Sequence, residues 1–160
     1  MSFLPKAGIA LTAPPAVVLV VTPAASAAPA CSLVTKAEVS AALGVMVGAP
    51  NGPLPKLCQW RQQAKPGADI LIADLNGPDR KLFDNAKSMA GFTGATIKPV
   101  GGLGDGAFHL CKKVGRMTSD ILWFRKGDAA FSVRVWGGKI PDADAEAKAK
   151  AIAVRVLTRV

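Results

Sequence analysis

The chain has 160 residues, half of them hydrophobic, with 20 basic against 11 acidic side chains and a net charge of +9. That length suits one domain. The basic excess favours contact with anionic surfaces, whether envelope lipids, polyanionic glycans or nucleic acid, and does not choose among them.

Residues 1–30, MSFLPKAGIALTAPPAVVLVVTPAASAAPA, inflate the hydrophobic fraction and hold a single charge, Lys6. An apolar run from Ala16 to Val21 follows, and then the small residues Ala25-Ser26-Ala27. A basic start, an apolar middle and a small-residue site are the order of a secretory signal peptide. The run is far shorter than the ~20 residues a bilayer-spanning helix needs, and Pro14, Pro15 and Pro23 flank it closely. Cleavage after Ala27 would remove residues 1–27 and leave 28–160 as one domain, with 19 basic against 11 acidic residues, or +8. The expected place is the periplasm or the extracellular space, with no transmembrane segment after cleavage. On location alone, nucleic acid is not an expected partner; an anionic envelope component or another envelope protein is.

Export puts Cys31, Cys58 and Cys111 in an oxidising compartment, where pairing is the default. A bacterial lipid-attachment site usually carries an aliphatic residue three before its cysteine. Here Ala28-Pro29-Ala30 precede Cys31, so lipid anchoring at Cys31 is not expected. A Cys31–Cys58 bridge is the stronger reading, closing a loop worth ~3–4 kcal/mol in the chain-entropy model. Pairing of Cys111 with either cysteine stays open. Any one bridge leaves one thiol over, which in an exported protein points to an intermolecular bond or a free reactive group.

In chain order, Thr35 with Glu38 three residues later forms a capping box, and a helix over 36–43 follows with Leu33, Val39 and Leu43 available for the core. Gly44 ends it. Residues 48–56, GAPNGPLPK, read as loop. Strands are expected over 58–62 and 68–75, around the turn-rich Lys65-Pro66-Gly67. Leu82, Phe83, Ala86 and Met89 recur at helical spacing, predicting a helix over 79–90 closed by Gly91. After GGLGDG comes a strand over 107–111, and the charged 112–120 read as loop. Residues 121–136, ILWFRKGDAAFSVRVW, form the clearest local signal, a hairpin turning at Gly127-Asp128. Its register sets Phe124 opposite Phe131 and Leu122 opposite Val133 on an apolar face. The other face carries Trp123, Arg125, Ser132, Arg134 and Trp136. A last helix starts near Asp142 or Asp144, with an inner stripe of Ala145, Ala149, Ile152, Ala153 and Val156. Asp144–Lys148 and Glu146–Lys150 stand in favourable i,i+4 order on it. Strands joined by hairpins rather than crossovers predict an α+β fold: an antiparallel β-sheet with helices packed on one face, as a single domain.

The opening Cys31-Ser32-Leu33-Val34-Thr35, with Glu38-Val39 and Ala42-Leu43-Gly44, resembles a family of exported bacterial proteins and lipoproteins of unknown function. Cys58-Gln59-Trp60 and Gly102-Leu103-Gly104-Asp105-Gly106-Ala107-Phe108 are similar to the same pattern, which spans nearly all of 31–160. The resemblance implies an envelope or secreted location and a paired Cys31–Cys58. It supplies no catalytic residues, and Cys111 lies outside the pattern.

The candidate chemistry is sparse. GGLGDG leads into a strand rather than a helix, so it reads as a structural turn and not a phosphate loop. His109 and Cys111 project from one side of a strand; a nucleophilic pair or half a metal site there needs a third group, and none stands nearby in sequence. Asp69, Asp74, Asp105, Asp120 and Asp128 sit singly, with no acid–base spacing. Trp123, Arg125, Arg134 and Trp136 form the candidate ligand-binding face, since aromatics interleaved with arginines stack on rings and bind anions. The competing reading covers the tryptophans with a helix. The basic last helix reads as a core helix rather than a membrane-surface one. The best reading is an exported, non-enzymatic binding or interaction module of the cell envelope, without catalytic residues, metal or cofactor. The alternatives are a thiol enzyme using Cys111 and His109, and a structural subunit dimerised through Cys111.

Overall fold

Thr35 caps the first α-helix with a capping box: its Oγ1 accepts the Glu38 N–H at 3.3 Å, and Glu38 Oε2 accepts the Thr35 N–H at 2.8 Å. In the computed structural model, which describes residues 30–54, 56–114 and 117–160, this box opens α1 (Lys36–Leu43). Gly44 closes the helix in the left-handed region, at φ 71°. The signal peptide expected over 1–27 lies outside the described residues.

Downstream stand β1 (Asn51–Leu54), β2 (Leu57–Arg61), β3 (Leu71–Asn76), α2 (Leu82–Thr93), β4 (Thr96–Val100), β5 (Gly106–Val114), β6 (Met117–Lys126), β7 (Ala129–Gly137) and α3 (Asp142–Leu157). The seven strands form one sheet in the order β1-β2-β3-β7-β6-β5-β4. Every pairing is antiparallel. The hairpin register is the expected one, Phe124 opposite Phe131 and Leu122 opposite Val133. Gly127 takes φ 57° at the first turn position, where a two-residue primed turn needs a positive value.

The expected antiparallel α+β domain forms, and α1 and α3 share one face of its sheet. There Val39, Leu43, Ile152, Ala153 and Val156 pack on Trp60, Leu75, Leu122, Phe124, Phe131 and Val133. The third helix departs from the one-face expectation. α2 lies on the opposite face, where its Phe83 and Ala86 cover Phe108, Trp123 and Ala130. The reason is in the strands: β5 and β6 are apolar on both sides, so Phe108, Leu110, Ile121 and Trp123 need a cover of their own.

Three further differences have local causes. Residues 51–54, expected as loop, add β1 to the sheet edge beside β2. The polar stretch 112–120 is not a loop; the ladder runs from Gly106 opposite Arg125 to Val114 opposite Met117, so alternating polar side chains sit on paired strands. α2 passes through Gly91 and ends at Gly94, which takes φ 67°. On α3, Lys148 donates to Leu43 O at 2.7 Å and Glu146 takes Lys98 at 3.3 Å, so these charges tie the helix to α1 and β4.

Two pins hold the rim. Cys31, in a short 3-10 turn, bonds Cys58 on β2. The bridge spans 27 residues. GGLGDG is a turn clamped to the hairpin: Asp105 N–H donates to Arg125 O at 2.9 Å, and Asp105 Oδ2 accepts the Gly127 N–H at 2.6 Å. Leu103 at its centre is buried in the main core.

Candidate functional site

Because α2 covers only part of its face, an apolar groove of about 420 Å³ remains between the helix and β5–β6. Leu82, Ala86, Met89, Leu110, Ile121 and Trp123 give it apolar walls. Asn85, Thr93, Lys112 and Ser119 supply its few polar groups. That size and polarity suit a small-molecule ligand. The surrounding surface is apolar too: Met89 is 57% and Phe92 91% exposed on α2.

A second cavity, of about 430 Å³, lies around the α2–β4 turn and is lined by Lys98, Lys112 and Lys113 together with Thr96, Cys111 and Asp142. Thr93 and Lys112 line both spaces, so the apolar groove and the basic cavity meet there. Lys112 is the lysine common to both spaces, while Lys98 is paired with Glu146 at 3.3 Å; an apolar trough that opens beside basic side chains suits an amphiphile with an anionic head.

The four residues expected to form a binding face do project from the same side of the β6–β7 hairpin, opposite the main core, but into different surroundings. Trp123 is buried at the wall of the groove, and its indole N–H has no acceptor among the described residues. Arg125 lies over the Phe83 ring at 5.0 Å and faces Asp84 at 3.9 Å. Arg134 instead stacks over Trp136 at 5.3 Å, and Trp136 Nε1 donates to Asp74 Oδ2 at 2.6 Å. The covering helix therefore reaches Trp123 and leaves Trp136 exposed. The ring-plus-arginine pairs stabilise β3, β7 and α2 separately and do not make one open surface.

His109 and Cys111 do share a side of β5, and the structure brings them the groups that sequence proximity did not. His109 Nδ1 lies 2.7 Å from Asp120 Oδ1, and Cys111 Sγ donates to Asp120 Oδ2 at 3.5 Å. Asp120 stands directly across the ladder from Cys111. Glu146, from α3, completes a trio with His109 and Asp120 whose ligating atoms all lie within 4.8 Å of one another. Burial raises the Asp120 carboxyl, but the His109 hydrogen bond and charge outweigh it and hold Asp120 below the usual carboxylate range. For Cys111, burial and then the Asp120 charge push the thiol up to about 11. A thiol that donates to a carboxylate and titrates there is not an activated nucleophile at neutral pH. Asp120 was missed in sequence because 112–120 read as loop; as a strand, its register opposite Cys111 points straight at it.

Cys111 is the free cysteine, and Cys31–Cys58 is the disulfide, as expected. No helix among the described residues is long and apolar enough to cross a membrane. Comparison with protein-family models, with curated proteins and with solved structures finds no match to the chain.

Proposed function

We propose that the protein is an exported, non-enzymatic binding module of the cell envelope that holds an amphipathic, anionic small molecule, its acyl or other apolar part along α2 and its head among Lys98, Lys112 and Lys113. The observation that carries the reading is the meeting of an apolar groove with a basic cavity at Thr93 and Lys112. The chain's net charge of +9 favours the same class of ligand. Trp123 contributes a buried aromatic wall to the groove, against which an apolar chain can pack.

The location rests on the leader and on the disulfide, which an oxidising compartment would maintain. Because the Cys31 sulfur is bonded to Cys58, it is not free to carry a thioether lipid, and this favours release over anchoring. The non-enzymatic reading is supported by the unactivated state of Cys111.

Titration of the purified protein with a fluorescent long-chain fatty acid tests the reading. Saturable binding near one per chain is expected, at least ten-fold weaker in Met89→Glu and in Lys112→Glu. Non-saturable uptake, or equal affinity in both variants, overturns it.

A further inference from the structure

The chain's one histidine lies in none of the ligand-binding groove, and its surroundings have a separate chemistry. His109 from β5, Asp120 from β6 and Glu146 from α3 enclose a void of about 10 Å³ walled otherwise by Leu122, Val135, Ala145 and Ala149. The His109 and Asp120 side chains are only 7% and 11% exposed. A carboxylate withdrawn from water this far must be paired or must hold a metal. Here two carboxylates converge on one imidazole inside an apolar shell, and Lys98 reaches only Glu146, at 3.3 Å, from the rim.

The geometry points to a divalent metal site, and we propose that His109, Asp120 and Glu146 bind one Zn²⁺ through an imidazole nitrogen and one oxygen from each carboxylate. Three donors within 4.8 Å of one another put a central ion within about 2.8 Å of each, so side-chain turns of under about 1 Å reach the ~2.0–2.2 Å bonds zinc makes. One nitrogen and two oxygens suit Zn²⁺ or Mn²⁺ better than a soft ion such as Cu⁺. The three donors come from three elements, so the ion would tie α3 to the β5–β6 hairpin. Three protein ligands leave a fourth position for water. Cys111, although bonded to Asp120, lies outside the trio. Lys98 releases Glu146 as the ion enters and remains beside the basic cavity.

The test is calorimetric titration of the chelator-treated full chain with ZnCl₂, read together with the ¹⁵N signals of the single imidazole. One ion per chain, a large shift of the His109 nitrogens, and at least a ten-fold loss of affinity in Glu146→Gln are expected, with binding retained in Cys111→Ala. Glu146 is partly exposed on α3, so Glu146→Gln keeps the fold. His109→Gln should abolish binding. No uptake at 100-fold excess zinc, unmoved imidazole signals, or unchanged affinity in Glu146→Gln each overturn the site. In those cases the trio is a hydrogen-bonded core cluster alone. None of these readings involves Met89 or Lys112, so the fatty-acid binding stands or falls separately.

Discussion

Cys111 on β5 faces Asp120 on β6 across the sheet, and its thiol donates to the carboxylate at 3.5 Å. That contact gives the odd cysteine a structural partner and withholds it from chemistry. With its pKa pushed up to about 11 by burial and by Asp120, Cys111 at pH 8 is thiolate about 0.1% of the time, against about 10% for an ordinary thiol. Alkylation by iodoacetamide at pH 8 should therefore be roughly a hundred-fold slower in the native chain than in urea. Equal rates would show a reactive thiol and revive the thiol-enzyme reading.

The disulfide joins the turn before α1 to β2, next to the edge of the sheet. Cys31→Ser with Cys58→Ser removes it without leaving a stray thiol, and should cost about 3–4 kcal/mol, or about 10 °C or more in Tm. Thermal unfolding of the oxidised and doubly substituted chains measures the difference. A shift of only a degree or two would mean that packing of Leu33 and Val34 already fixes this turn.

Glu38 is shared between the α1 cap and the far end of the chain. Arg159 bonds its carboxylate at 2.8 Å and also donates to Leu33 O at 2.8 Å. The Arg159 hydrogen bond comes first, and the Thr35 backbone N–H second, in lowering Glu38 to about 2 from an unfolded value of 4.5. A lowered carboxylate adds stability that is complete above pH 4.5 and lost as the pH falls through about 2. Solvent screens this surface pair, so Arg159→Ala should cost about 1 kcal/mol at pH 7. The gap between variant and parent in urea unfolding should narrow towards pH 2. A gap that stays constant across that range would locate the effect in the Leu33 contact instead.

Two glycines of GGLGDG distinguish a required turn from a permissive one. Gly102 (φ 70°) has open space where a Cβ would stand, whereas at Gly104 (φ 60°) a Cβ would run into the Arg125 carbonyl. Gly102→Ala should cost about 1 kcal/mol for its backbone conformation alone. Gly104→Ala should cost about 3 kcal/mol, because the clamp between this turn and the hairpin must open as well. Equal losses in denaturant titration would contradict the clamp.

How far the sequence could be read follows from where its signals are local. The capping box at Thr35 and Glu38, the Gly44 stop and the hairpin register are contacts within a few residues, and each was legible. The sheet's second covered face was not. Trp123 and Phe108 look like an outward face in a hairpin considered alone, and only α2, distant from Trp123 in sequence, turns that face inward. The His109–Asp120–Glu146 trio was hidden for the same reason: its members come from three elements, and polar alternation on β5 and β6 imitates a loop. The Trp and Arg set was visible as a pattern, but its division between Asp74 and Phe83 depends on strand pairing across the whole sheet.

The most direct test of the account is native mass spectrometry of the protein recovered from its own cells without reductant. The account predicts a chain with one disulfide carrying an added mass of amphiphile size that is lost on denaturation, and no such mass on Met89→Glu or Lys112→Glu. A bare chain in all three preparations would contradict it.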